Sequence, residues 1–321
     1  MVYSSPVLVN FWYKYSMIVL ETLGGGLGDE ICSEPVVRYA VKKLYPNEDV
    51  RICTRYPEVF KHLGKPMGKD GLELGIKVGE GFLHLSASPY KIVNGEHKTH
   101  PFALIAEPLF TPTIDFHSLF MLKRILPHKD KRIFLEVPNE ARNKINSITP
   151  SNFVALHVGS SSSNRVVLNE YAKNLVEGLI AQGHEVVVFG NSDTPLEVGK
   201  DLTKQLSINE TFALIEKAWL TITNDSAPVH IAAAFDNYLI VIPSIRHPDR
   251  LIHPRNGVLY WKAAAPYKKL VIEDVDYPPH LSVQGWEWYK DFDIKDHFPE
   301  VEEILLIAEQ MKKRTYVSPT F

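Results

Sequence analysis

The chain has little cysteine and no long apolar run. Only two of its 321 residues are cysteines, Cys32 and Cys53. They form neither a Cys-x-x-Cys pair nor a zinc-binding spacing, which predicts two buried, reduced thiols. No apolar run is long enough to cross a bilayer. The first 16 residues also lack the basic start, apolar middle and small-residue cleavage site of a secretion signal. We therefore expect a cytoplasmic protein with no integral membrane segment.

The chain also has only a small net charge. The chain carries 35 Lys and Arg against 38 Asp and Glu, a formal charge of -3. No global positive field therefore draws it to nucleic acid or to anionic lipid. The composition, 45% hydrophobic and 23% charged, is that of a globular protein. A length of 321 residues suits two domains.

The first half begins with a pattern of strand, turn, helix and strand. Residues 17–20 form a short apolar run that ends at the glycine cluster 24–28, which predicts a buried strand and a turn. A helix over 31–44, bent at Pro35, and a strand over 49–53 follow. This order predicts a parallel sheet.

The same pattern restarts between Pro138 and Pro150. Strands and helices then alternate, which predicts a second doubly wound sheet. The predicted strands are 153–157, 186–189, 220–223 and 238–242, and the predicted helices are 172–180, 211–218, 228–234 and a terminal 301–313. The domains are placed at 1–148 and 149–297, followed by a helix and tail, 298–321. This helix must pack on another part of the chain, and a return across the first domain is one option.

The glycine turn differs from a dinucleotide-binding loop. The G-x-G-x-x-G fingerprint started at Gly24 would need glycine at position 29, which is Asp29. A carboxylate at this position would repel an anion. Asp29 nevertheless lies at the carboxyl end of the first strand, where open α/β sheets bind ligands. Asp29 is therefore a candidate general base. The alternative, that it only caps the helix, stays open.

Residues 223–230 join a predicted strand to a predicted helix. Asp225 or Ser226 can cap this helix, and Pro228 suits its first turn. Free N–H groups and the helix dipole favour a phosphate there, with His230 one turn further on. The alternative is a well-capped helix with a core histidine.

Two further polar loops follow predicted strands. The serine-rich loop 159–165 offers hydroxyls from Ser160 onward, and Arg165 can hold a diphosphate with two hydrogen bonds. Asn191 and Ser192 follow the next strand, where a ribose or base is commonly bound. The alternative is that the serine-rich loop is only flexible.

Other charged stretches have ordinary explanations. The Asp-x-Asp pairs 274–276 and 291–293 are interpreted as solvated loops, and no metal site is predicted. The basic stretch 123–132 is either a solvated face or a contact for a phosphorylated acceptor. The basic loop 246–255 fits a ligand contact or an ordinary loop.

Two motifs resemble glycosyltransferase family 9, the lipopolysaccharide heptosyltransferases. The segment 26–29 followed by Pro35 resembles the family's Gly-Asp…Pro opening, and 224–234 resembles its Asp-Ser-Gly-x-x-His-x-Ala-Ala signature. The likeness covers residues 17–46 and 153–243. It implies an α/β fold of the GT-B type, in which two Rossmann-like, doubly wound parallel-sheet domains face a central cleft. The first domain would take the acceptor and the second the nucleotide sugar.

The resemblance also implies residue roles. Asp29 would deprotonate the acceptor hydroxyl. Arg165 stands where the family has lysine, and Ala227 where it has glycine. The implied donor-binding residues are Gly26, Gly28, Ser160, Arg165, Asn191, Ser192, Asp225, Ser226, Ala227 and His230. The implied acceptor-binding residues are Arg55, Lys123 and Arg124.

The implied activity is an inverting, metal-independent sugar transfer. The donor would be a nucleotide-diphosphate sugar, with no separate cofactor, and the acceptor a glycan or lipid-linked saccharide such as lipopolysaccharide. The protein would be free in the cytoplasm or peripheral to the inner membrane. Alternatives are glycosylation of a hydroxymethylated base in viral DNA, a nucleotide-sugar epimerase, and a non-catalytic nucleotide-sugar binder.

Overall fold

Two parallel β-sheets with flanking helices make up the framework in a computed structural model of the chain. The predicted α/β class is therefore present in both halves. The structure describes residues 17–22, 26–70, 72–75, 82–86, 92–93, 96–97, 133–159, 167, 169–193, 196–224, 226–235, 237–242 and 299–313.

The first sheet has four parallel strands in the order β3-β2-β1-β4. β1 lies at its centre because its run of apolar side chains is buried. A short antiparallel hairpin follows this sheet in the chain. The strands are β1 (Met17–Glu21), β2 (Val50–Cys53), β3 (Met67–Gly68) and β4 (Phe82–Ser86), and the hairpin is β5 (Ile92–Val93) with β6 (Glu96–His97).

Helix α1 (Leu27–Tyr39) starts four residues earlier than the predicted helix. The reason is local: the carboxylate of Asp29 accepts a hydrogen bond of 2.8 Å from the backbone N–H of Gly26 and so caps the helix. Pro35 lies inside the helix, which continues into a π-helical turn, Ala40–Leu44. After β2 comes the short helix α2 (Pro57–Phe60), followed by a 3-10 turn, Lys61–Leu63.

The second sheet has five parallel strands in the order β11-β10-β7-β8-β9. Numbered in chain order and read from β9, this is 3-2-1-4-5, which is the order of the first five strands of a Rossmann sheet. The strand order therefore reverses between β7 and β10. The strands are β7 (Val154–Val158), β8 (Val186–Gly190), β9 (Lys200–Asp201), β10 (Leu220–Thr223) and β11 (Tyr238–Val241).

Among the described residues, five helices accompany the second sheet. Each is placed by an apolar face: for example, Phe212 and Leu214 of α5 are fully buried. A capping box at Ser207 and Glu210 starts α5 three residues before the predicted helix. The helices are α3 (Asn139–Ile148), α4 (Asn169–Ala181), α5 (Ile208–Lys217), α6 (Ala227–Phe235) and α7 (Val301–Lys313).

The terminal helix α7 packs on α4 in the second half. Its buried residues Ile304, Ala308 and Met311 belong to the same apolar cluster as β7 and β8. Leu305 fills the space left beside Gly178, where a Cβ would collide with it. This packing differs from the predicted option of a return across the first domain.

One apolar cluster continues through both halves of the chain. It contains Ile18 and Val50 from the first sheet and Val229 and Ala232 from α6 of the second. Helices α1 and α6 make the main contact between the halves. Burial of such side chains removes apolar surface from water and holds the two sheets together.

Two sequence predictions concern the burial of the cysteines and the absence of a membrane-spanning segment. Cys32 is buried as predicted, whereas Cys53 at the end of β2 is partly exposed. Among the described residues, none of the helices combines the length and apolar character needed to span a bilayer.

Candidate active site

The amino-terminal ends of α1 and α6 meet at Gly28. A Cβ placed on Gly28 would lie 3.2 Å from Cδ2 of His230, 3.4 Å from Cα of Ala227 and 3.6 Å from its backbone nitrogen. A side chain at position 28 would therefore separate the helices. This contact brings the turn that carries Asp29 against the start of the helix that follows Ser226.

Asp29 lies in the first turn of α1 and is partly exposed. One carboxylate oxygen, Oδ2, accepts the N–H of Gly26 at 2.8 Å. The cap fixes the side chain at the carboxyl edge of the first sheet, and a negative charge is favourable at a helix amino terminus. Asp29 is thus not the N-cap residue of α1, which is Gly26, but its Oδ2 accepts the N–H of that residue as in a capping box. The other carboxylate oxygen takes no part in this bond.

Glu30, the next residue, is fully buried between the ends of β1 and β2. The hydroxyl of Thr54 donates to its Oε2 at 2.9 Å. Burial raises the pKa of the Glu30 carboxyl above its ordinary value; hydrogen bonds from Thr22, Thr54 and the Arg55 backbone oppose the rise, and the charge of Asp29 adds to it. A second carboxyl group therefore lies directly behind the candidate base.

The raised pKa of Glu30 predicts a pH-dependent stability. Because the folded state holds this proton more tightly than the unfolded state, its contribution to stability is present below the unfolded pKa and is lost as pH rises through the folded pKa. We expect Glu30→Gln, measured by denaturant unfolding, to gain stability relative to wild type as pH rises above 4.5. The exposed Glu48→Gln is the matched control, and a Glu30→Gln difference that is the same at every pH contradicts the prediction.

Glu34, one turn further along α1, connects the helix to neighbouring segments through its buried carboxylate. Its fully buried carboxylate accepts from Nε of Arg38 at 2.7 Å and from the backbone N–H of Phe134 at 2.9 Å. Nε2 of His62 lies 3.0 Å from the same carboxylate. These contacts tie α1 to the turn after α2 and to the segment that precedes α3, and so they orient the helix that carries Asp29.

A polar cluster occupies the point where the strand order of the second sheet reverses. Nδ1 of His157, on β7, lies 3.1 Å from Oδ1 of Asn224, 3.2 Å from Oγ of Ser226 and 3.3 Å from Oγ1 of Thr223. Asn224 is 1% exposed, and its amide nitrogen donates to the carbonyl of Gly159 at 2.9 Å. Burial lowers the pKa of His157 to about 4, so the ring is neutral at physiological pH.

Glycines at the ends of β7 and β8 allow two loops to approach closely. Gly159 has φ +103°, and a Cβ there would lie 3.2 Å from the backbone nitrogens of Asn191 and Ser192. Gly190 has φ +128°, and a Cβ there would collide with the carbonyl of Val158. Both backbone positions therefore favour glycine. They place Asn191 and Ser192 beside the loop that follows β7.

A thiol and an imidazole meet across the contact between α1 and α6. Sγ of Cys32 lies 3.3 Å from Nδ1 of His230. His230 therefore contacts α1 through its Nδ1 as well as through the ring edge that faces Gly28. The interaction fixes the ring of a residue implied to line the donor site.

The described residues bring together only part of the implied site. Gly28 meets Ala227 and its helix, and Gly26 and Asp29 lie in the same turn as Gly28. Arg55 is exposed and follows β2 at the same edge of the first sheet. The described ranges contain no group of three or more potential metal-ligating side chains. Ser160, Arg165, Asp225, Lys123, Arg124, the two Asp-x-Asp pairs and the loop 246–255 lie outside the described residues.

The sequence interpretation missed three polar residues that shape this region. Glu30 and Glu34 interrupt the apolar face of α1, and a charged residue on a buried face is the signal that could have found them. His157 was assigned only to a strand. Its place at the carboxyl end of that strand was the available signal.

The fold defines the class of architecture: an α/β fold of the GT-B type with two Rossmann-like halves. Residues 115–251 match the model of the family described as glycosyltransferase family 9 (heptosyltransferase). The resemblance predicted from the two motifs is thereby confirmed. None of the curated proteins searched matches the chain.

Two solved structures share the fold over nearly the whole chain. A glycosyl transferase family 9 protein from Veillonella parvula DSM 2008 has a TM-score of 0.64 at 14% identity, covering 94% of this chain and 98% of that one. The dodecameric iron-containing heptosyltransferase TibC, in complex with ADP-D-beta-D-heptose, has a TM-score of 0.55 at 11% identity, covering 93% and 77%. TibC comes from enterotoxigenic E. coli H10407. These matches confirm the predicted fold class and offer no support for a DNA acceptor.

Proposed function

We propose that the protein transfers a sugar, with inversion, from a nucleoside-diphosphate sugar to a hydroxyl group of a saccharide acceptor. The contact of Gly28 with Ala227 supports this proposal, because the residue that follows Gly28 is Asp29 and Ala227 begins a helix of the second half. The family match over 115–251 supports the reaction class. The heptose donor bound by TibC makes an ADP-linked heptose the first donor to test.

Asp29 is the general base of this proposal. The acceptor oxygen attacks the anomeric carbon, the bond from that carbon to the phosphate oxygen breaks, and the acceptor proton passes to Asp29. A single displacement from the face opposite the leaving group inverts the anomeric carbon. The cap on Gly26 holds the carboxylate in place for this step, since a preset geometry lowers the entropy cost of bringing the groups together.

The departing diphosphate gains negative charge as the bond breaks. Backbone N–H groups at the start of α6 and the dipole of that helix stabilise such a charge, and Arg165 adds a guanidinium. Pro228 has no N–H, so Ser226 and Ala227 are the donors nearest the helix start. These groups together can replace a metal ion, and we propose that transfer proceeds without one. Asn191 and Ser192 complete the donor site on the nucleoside side.

Nucleotide binding followed by turnover tests this function. We expect one of ADP, UDP, GDP and CDP to raise the melting temperature of the full chain; a ligand at 100 times its Kd stabilises by about 2.7 kcal/mol. The matching diphosphate sugar, starting with ADP-heptose, should then release nucleoside diphosphate only when a lipopolysaccharide-core saccharide is added. EDTA should leave this rate unchanged.

Each remaining outcome contradicts part of the proposal. No stabilisation by any nucleoside diphosphate would overturn the donor assignment. Formation of an isomer from the donor alone would indicate an epimerase, and binding without turnover on any saccharide a non-catalytic binder. Loss of the rate in EDTA, with recovery on adding iron or magnesium, would overturn metal independence.

A further inference from the structure

The cluster around His157 has a directed hydrogen-bond pattern. The carbonyl oxygen of Asn224 can only accept, because the amide nitrogen of that side chain already donates to the carbonyl of Gly159 at 2.9 Å. Nδ1 of His157 lies 3.1 Å from this oxygen, and a proton on Nδ1 lets the ring donate to it. We assign the neutral ring to this tautomer.

Ser226 belongs to the same pattern. Its hydroxyl donates to Oδ1 of Asn224 at 2.7 Å, and the hydroxyl of Thr223 donates to the backbone carbonyl of Asn224 at 3.1 Å. The proton of the Ser226 hydroxyl is thus used in a bond to Asn224. What the start of α6 can offer to a phosphate is its backbone N–H groups, and their position depends on Asn224 and Ser226.

We infer that His157 is a positioning residue for donor binding, which holds Asn224 and Ser226 so that the start of α6 presents its N–H groups to the donor diphosphate. This inference rests on the proposed function. His157 is anchored for the role on its other side, because its ring packs on Phe189 with centroids 5.1 Å apart and its edge lies against Gly190. A shift of His157 would therefore be passed directly to the turn that starts α6.

Three substitutions separate this role from general support of the fold. The amide nitrogen of His157→Asn can take the place of Nδ1–H, so this variant is the conservative rescue. His157→Leu has no donor, and His157→Gln, which is one carbon longer, cannot place an N–H at the same point. If the leucine variant fails to fold, the glutamine variant supplies the same test.

Isothermal titration with the nucleoside diphosphate that binds wild type, and with its nucleoside, measures the effect. We expect the leucine or glutamine variant to bind the diphosphate about tenfold more weakly, the scale of one lost hydrogen bond. Affinity for the nucleoside should be unchanged, and the asparagine variant should stay within about twofold of wild type for both. In turnover, the donor KM should rise while the acceptor KM stays constant.

Two results would overturn the inference while leaving the proposed function intact. One is wild-type affinity for the nucleoside diphosphate in both His157→Leu and His157→Gln. The other is an equal loss for diphosphate and nucleoside, which would indicate a structural role only. If wild type binds none of ADP, UDP, GDP and CDP, the proposed function itself fails, and the inference with it.

Discussion

Asp29→Asn is expected to lower the rate of sugar transfer by about 10² to 10⁴-fold, the usual contribution of a general base. The amide cannot accept the proton of the attacking hydroxyl. Its oxygen can still accept the N–H of Gly26, so the cap on α1 and the melting temperature should be kept. The measurement is single-turnover transfer together with donor affinity, which should be unchanged.

The control for Asp29→Asn is Asp49→Asn, whose side chain is half exposed at the other end of the same half of the molecule. It should retain the wild-type rate. The neighbouring carboxyl group sharpens the test, because Glu30→Gln removes a buried carboxyl without touching the cap. Full activity in Asp29→Asn and its loss in Glu30→Gln would assign the base to Glu30 instead.

Glu34→Ala is expected to reduce the free energy of unfolding by about 3–5 kcal/mol, because it removes a buried carboxylate that accepts hydrogen bonds from several groups. Arg38, His62 and the N–H of Phe134 all lose this contact in the variant. Denaturant unfolding monitored by circular dichroism measures the change.

The exposed Glu48→Ala should shift stability by less than about 0.5 kcal/mol and serves as the matched control. A loss below about 1 kcal/mol in Glu34→Ala would show that the carboxylate is dispensable, and that Arg38 and His62 find other partners. The orientation of α1 would then depend on its apolar face alone.

Local patterns predicted the second half of the chain well. The buried runs of β7, β8 and β10 have the length of a strand and end at turn residues, and the apolar stripe of α7 has the period of a helix. Errors fell where a cap decides the boundary. Gly26 and Asp29 start α1 early, and the capping box at Ser207 does the same for α5, because these side chains supply bonds to N–H groups that periodicity does not register.

The candidate site was predictable only as separate pieces. The turn at Asp29 and the turn at Ser226 each follow a strand, and any parallel sheet places such turns at its carboxyl edge. Their meeting depends on the approach of two helices that are 198 residues apart at Cys32 and His230. No local pattern measures that separation.

By itself, the sequence determined the two parallel sheets, the turns at their carboxyl edges and the likeness to family 9, because each depends on neighbours in the chain. Only the tertiary structure decided that α1 and α6 touch at Gly28, that Glu30 and Glu34 are buried behind Asp29, and that His157 holds Asn224. These features arise from long-range packing. The pKa of a carboxyl group and the tautomer of an imidazole depend on neighbouring groups that only the folded chain brings close.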